Sequence, residues 1–105
     1  MTSRELVDRA DEVAEVLGLL GNGKRLAILC HISRQELSVG AIAEKVHLSQ
    51  SALSQHLAKL RNSGLVRTRR ERQMIYYSCF DGPIPALLGA LDEILCKSPG
   101  WPAAK

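Results

Sequence analysis

The sequence predicts a mainly helical domain that carries one small β-hairpin, and three observations predict it. Apolar residues recur at helical spacing along most of the chain. Between Leu65 and Cys79 that spacing gives way to alternation. Serine, asparagine, glycine and proline stand at the joints where helices start and stop.

The first helix opens with a T-x-x-E pattern, Thr2 to Glu5, which forms a capping box. Leu6, Ala10, Val13, Leu17 and Leu20 follow as one apolar stripe of a single helix. Gly21-Asn22-Gly23 ends it, and Asn22 is placed to cap the second helix. That helix carries Leu26, Ala27, Leu29, Cys30 and Ile32 on its apolar side. Lys24 and Arg25 lie in its first turn, where the helix dipole disfavours cations, so they are expected to face phosphates. Ser33 to Glu36 is a polar connection.

Residues 38–61 then read as two helices around a tight turn. Ser38 is placed to cap the first, with Val39, Ile42, Ala43 and Val46 at helical spacing. His47-Leu48 make the turn, and Ser49 is placed to cap the second helix, where Leu53, Leu57 and Leu60 form a buried stripe. The opposite face presents Ser51, Gln55, Ala58 and Asn62, flanked by Ser54 and Lys59. A surface rich in hydroxyls and amides and free of acid suits a helix that enters a major groove. This is the pattern of a helix-turn-helix with its recognition helix. An ordinary helical hairpin with a polar face is the plain alternative.

Asn62-Ser63-Gly64 closes the recognition helix, with Gly64 as its left-handed cap. Leu65–Arg70 and Gln73–Cys79 are the two expected strands, with a turn near Glu71-Arg72. Ile75, Tyr77 and Cys79 share one face, and Met74, Tyr76 and Ser78 the other. Arg67, Arg69, Arg70 and Arg72 crowd this hairpin. A basic hairpin directly after a recognition helix is a wing, whose arginines serve phosphates or a minor groove. Pro83 and Pro85 mark the entry to a last helix carrying Leu87, Leu88, Leu91, Ile94 and Leu95, which ends near Cys96-Lys97. Residues 1–97 form the expected domain and 98–105 a disordered tail, in which Trp101 has no evident partner.

The bulk numbers agree with one cytosolic domain. The chain has 105 residues, 46% hydrophobic and 24% charged, which is ordinary for a globular protein. No apolar run reaches membrane-span length, the N-terminus lacks a signal-peptide pattern, and three cysteines do not make a secreted disulfide framework. The net charge of +3 is unevenly spread: residues 1–20 carry −3, residues 24–79 carry +7 and residues 80–105 carry −1. The positive charge sits where a helix-turn-helix would need it to neutralise phosphates. No nucleophile–base pair, glycine-rich phosphate loop or paired-carboxylate signature occurs, so neither an enzyme nor a cofactor is expected.

Taken together, these elements resemble the ArsR/SmtB family of small winged-helix repressors. The resemblance rests on Asn22 with residues 24–29, Glu36-Leu37-Ser38-Val39, Leu48-Ser49-Gln50-Ser51-Ala52-Leu53-Ser54-Gln55-His56-Leu57, Leu60-Arg61, Gly64-Leu65-Val66, Arg69-Arg70 and Tyr76-Tyr77. It covers residues 5 to 96. It implies four helices, a two-stranded hairpin and a fifth helix, with the first and last helices forming a homodimer interface. It also implies repression by occupying operator DNA until an inducer loosens the grip. Gln50, Ser51, Ser54 and Gln55 would read bases or adjacent phosphates, His56 would pack or touch a phosphate, and Arg69, Arg70 and Arg72 would serve the wing.

The sensor positions of the family separate its branches. The Cys-x-Cys pair of arsenic and cadmium sensors is replaced here by Ser38 and Gly40, which cannot ligate a soft metal. The last helix offers Asp92 and Glu93 but no histidine for a zinc or nickel site. Cys30 and Cys96 remain, a pair similar to the dithiol, BigR- and SqrR-like branch. The resemblance implies that reactive sulfur species or oxidants link the two and release DNA, with no metal and no cofactor. The recognition helix also resembles that of NolR-like nodulation regulators, which keeps a thiol-independent repressor open. Locally, Cys30 reads as a core cysteine on an apolar face and Cys96 stands at a helix C-terminus, where the dipole disfavours a thiolate. Cys79 is expected to be buried in the strand face. A three-thiol arsenite or zinc site and a protein-interaction module that does not bind DNA are the further alternatives. His31 cannot face the same ligand as its neighbour Cys30, and His47 is expected to be exposed in the turn.

Overall fold

The computed structural model describes residues 3–97 and Gly100. The elements are α1 (Arg4–Asp8), α2 (Ala10–Leu20), α3 (Gly23–Ile32), β1 (Leu37–Ser38), α4 (Val39–Val46), α5 (Gln50–Asn62), β2 (Arg67–Glu71), β3 (Met74–Ser78) and α6 (Ile84–Lys97). The mainly helical architecture with a small hairpin is the one the sequence predicts.

At the N-terminus the expected single helix is two segments. Ser3 caps α1, its hydroxyl accepting the Leu6 N–H at 3.0 Å; Thr2 lies outside the described residues. The break falls at Arg9, whose φ of −112° and ψ of 26° leave the helical region. Its guanidinium clasps Glu5 and Glu12 across that break, at 3.2 and 3.1 Å.

Asn22 caps α3 as expected, accepting the Lys24 and Arg25 N–H groups at 3.0 Å each. The helix is rotated relative to the predicted stripe. Ile28, Leu29 and Ile32 are fully buried, whereas Cys30 is exposed. Six of the ten residues of α3 are apolar, so more than one stripe can be drawn on it. Packing against α2, α4, α5 and α6 selects the stripe that contains Ile28.

The sheet has three antiparallel strands in the order β1-β3-β2, not the two expected. Leu37 and Ser38 pair with Tyr77 and Tyr76, which ties the entrance of the helix-turn-helix to the hairpin. The β2–β3 register runs from Arg67↔Ser78 to Glu71↔Met74, and Arg72-Gln73 make the turn, one residue later than predicted. Arg72 takes a φ of +58° there. Tyr77 and Cys79 are buried as the alternation predicts, but Ser78 on the other face is buried too. The Cys79 N–H, just after β3, donates to the Ile32 carbonyl at 3.0 Å, tying the end of the hairpin to the end of α3.

One core gathers Leu53, Leu57 and Leu60 of α5 with Ile42 of α4, the apolar side of α3, and Ile84 at the start of α6. Gly64 follows α5 with a φ of +80°, the left-handed cap expected from the sequence. The predicted tail, including Trp101, lies outside the described residues apart from Gly100.

Candidate nucleic-acid interface and thiol site

Capping fixes the two helices of the reading head. The Ser38 hydroxyl accepts the Ala41 N–H at 3.2 Å, and the Ser49 hydroxyl accepts the Ala52 N–H at 3.1 Å. Between them His47 adopts a φ of +58°, which stops α4 and turns the chain; its side chain is exposed. Leu53, Leu57 and Leu60 are no more than 2% exposed, so α5 is anchored by that stripe. Gln50, Ser51, Ser54, Gln55 and Asn62 are consequently exposed on the outer side. The Ser54 hydroxyl donates to the Ser51 carbonyl at 3.1 Å, which commits its proton and leaves its oxygen with acceptor capacity. The α5 sequence contains no carboxylate that would repel a phosphate.

His56 sits half-buried at the edge of the stripe. Burial first, then the nearby Arg25 and Lys59, hold its imidazole below the ordinary 6.5, so it is neutral at pH 7. Its contribution there is packing or a neutral hydrogen bond, not charge.

The wing arginines are not equivalent. Arg67 pairs with Asp81 at 3.2 Å. Arg69 donates to both carboxylate oxygens of Glu36, the shortest contact being 2.7 Å, and to Glu71 at 2.8 Å. It also stacks over the Tyr76 ring, 4.7 Å from the centroid. These hydrogen bonds raise the Arg69 pKa and lower that of Glu36. Arg70 and Arg72 are exposed and make no ion pair among the described residues.

Lys24 and Arg25, expected to face phosphates, are engaged within the chain by carbonyls of neighbouring helices. The Lys24 ammonium donates to the Val46 carbonyl at the C-terminus of α4, 2.9 Å away. The Arg25 guanidinium donates to the Leu19 and Gly18 carbonyls at the end of α2, at 2.9 and 3.3 Å. A cation unfavourable at its own helix N-terminus is favourable at the C-terminus of a neighbour, and that pairing wins. Arg61 was not singled out from the sequence as a site residue. Its Nη1 donates to the Tyr77 hydroxyl at 2.7 Å, bringing the end of α5 onto the wing. Its position in the last turn of a basic recognition helix was the available signal.

The thiols divide into two kinds. Cys79 is buried, its Sγ 3.7 Å from the Leu29 carbonyl. Burial, with Cys30 and Asp81 nearby, pushes its thiol up to about 11. Cys30 and Cys96 are exposed. Cys30 lines an open cleft of about 320 Å³ between α3 and α6, together with Ser33, Arg34, Leu88 and Asp92. Asp92 also receives the Cys96 thiol at 3.9 Å, one turn along α6. Among the described residues, no three of His, Cys, Asp and Glu gather as a metal site, and no helix is long and apolar enough to cross a membrane.

Comparison with known proteins matches residues 22–68 to the family described as bacterial regulatory protein, arsR family. The nodulation protein NolR of Rhizobium meliloti is 52% identical over 85 residues, covering 81% of this chain and 70% of that protein. The crystal structure of the transcriptional repressor BigR from Xylella fastidiosa superposes with a TM-score of 0.84 at 37% identity, over 93% of this chain and 100% of that one. A homodimeric winged helix-turn-helix DNA-binding domain from Mycobacterium bovis, 28% identical, covers 100% of this chain and 97% of its own with a TM-score of 0.78. The chain thus belongs to the arsR family and is a DNA-binding transcriptional regulator.

Proposed function

We propose that this protein is a cytosolic homodimeric repressor that lets go of operator DNA when a reactive sulfur species or oxidant joins Cys30 to Cys96. Gln50, Ser51, Ser54 and Gln55 read base edges or adjacent phosphates, and Arg70 and Arg72 meet the backbone. The terminal helices provide the dimer surface: Leu6, Val7 and Leu17 are exposed at one end of the chain and Ile94 and Leu95 at the other. An apolar set of that kind is costly to leave in water. Similarity to a homodimeric winged-helix domain supports the same reading.

The observation that carries the sensing step is the contrast between thiols. Cys30 and Cys96 are exposed, Cys30 in a cleft that Asp92 also lines and Cys96 with its thiol 3.9 Å from that carboxylate, while Cys79 is withdrawn into the core. One exposed thiolate attacks the sulfane sulfur of a persulfide and releases the donor as a thiolate. The second thiolate attacks the protein-bound sulfur of the new persulfide, closing a disulfide and releasing hydrosulfide. The bridge ties α3, in the core of the reading head, to α6 at the dimer surface. A coupling of about 1–3 kcal/mol would lower operator affinity about five- to 150-fold.

Intact mass and peptide mapping before and after a persulfide donor, with duplex affinity measured on the same samples, test this reading. A Cys30–Cys96 link with weakened binding, both lost in Cys30→Ser, is the expected result. A Cys30→Ser variant that responds like the parent protein excludes the mechanism and leaves a thiol-independent repressor.

A further inference from the structure

Acids are distributed unevenly among the arginines around the wing. Arg67 has Asp81, and Arg69 has Glu36 and Glu71. Arg61 and Arg70 have neither: among the described residues the partner of Arg61 is the neutral hydroxyl of Tyr77, and Arg70 makes no ion pair. These two unneutralised guanidiniums line one cleft of about 360 Å³, between the C-terminal turn of α5 and the β2–β3 wing. Thr68, Ile75 and Tyr77 complete it, and no carboxylate is among its walls. Two like charges in one cleft repel unless an anion lies between them. A guanidinium pair with a threonine hydroxyl is suited to a phosphodiester, whose non-bridging oxygens accept from both.

We infer that Arg61 and Arg70 form a backbone-phosphate site between the recognition helix and the wing, and that Arg69 is a positioning residue that does not touch DNA. Arg69 reaches from β2 to Glu36, next to β1, and so braces the hairpin against the strand that enters the helix-turn-helix. The Tyr77 hydroxyl plays the matching part for Arg61, holding its guanidinium toward the cleft rather than free in solvent. The inference rests on the DNA-binding reading and deepens it.

Salt dependence separates contact from positioning. Binding to a fluorescein-labelled duplex of mixed sequence is to be measured across a series of salt concentrations. For the parent protein, log affinity falls linearly with log salt. Arg61→Gln and Arg70→Gln should each flatten that line by about 0.9 for every phosphate no longer neutralised. Arg69→Gln should weaken binding with the slope unchanged. Thr68→Glu keeps both arginines but supplies them with an internal carboxylate, and should weaken binding and flatten the line. An Arg61→Gln or Thr68→Glu variant with the parent slope overturns the phosphate site, and an Arg69→Gln variant as flat as Arg70→Gln overturns the positioning role. A parent protein with no salt-dependent binding would instead sink the DNA-binding reading itself.

Discussion

The Lys24 ammonium donates to the Val46 carbonyl at 2.9 Å, so a side chain at the start of α3 closes the end of α4. Lys24→Met removes that cation from a helix C-terminus and should cost about 0.5–1 kcal/mol of stability. Urea unfolding at fixed protein concentration measures the loss. The salt slope of duplex binding should stay at the parent value, and a flattened slope would put Lys24 at a phosphate after all.

Ile28 and Cys30 stand two residues apart on α3 and should respond oppositely to truncation. Ile28 is fully buried, so Ile28→Ala is expected to cost about 2–5 kcal/mol. Cys30 is exposed, and Cys30→Ser should stay within about 0.5 kcal/mol of the parent. Equal losses for the two would mean that α3 is rotated toward the stripe read from the sequence.

Arg72 occupies the left-handed region with a φ of +58° at the tip of the wing. A side chain there costs about 1–2 kcal/mol relative to the right-handed region, whereas glycine adopts it freely. Arg72→Gly should therefore keep or raise thermal stability while lowering duplex affinity through the lost charge. A variant less stable than the parent would show that the arginine side chain holds the turn.

The His56 imidazole is held below 6.5 by burial and by Arg25 and Lys59. The unfolded chain thus binds a proton that the folded chain refuses, and stability rises with pH in that range. The contribution is complete above pH 6.5 and is lost as pH falls from there through the lowered folded value. Unfolding profiles of the parent and His56→Gln should converge under mild acid and separate above it, and parallel profiles would contradict the assignment.

The residues legible in the sequence are those whose role is local. Asn22, Ser38 and Ser49 cap helices three or fewer residues away, and Leu53, Leu57 and Leu60 need only the helical repeat to share a side. What the sequence hid depends on partners far along the chain. β1 is two residues long and has no pattern of its own; it exists because Tyr76 and Tyr77 pair with it. Arg69 looks like its neighbours until Glu36, 33 residues away, is folded against it. The partners of Lys24 and Arg25 are hidden for a related reason, since the carbonyls that receive them belong to other helices. The face taken by Cys30 was undetermined because α3 is apolar on several sides, and only its neighbours choose among them.

Ser38 ends the strand paired with β3 and caps α4 with the same side chain that accepts the Ala41 N–H. Wing and helix pair therefore share one pivot, with no slack segment between them. A push on the wing tip is geared through that residue into the helix that carries α5. Within the chain, wing and helix pair thus answer a load as one stiff jaw, which can be shifted as a unit more readily than it can be bent.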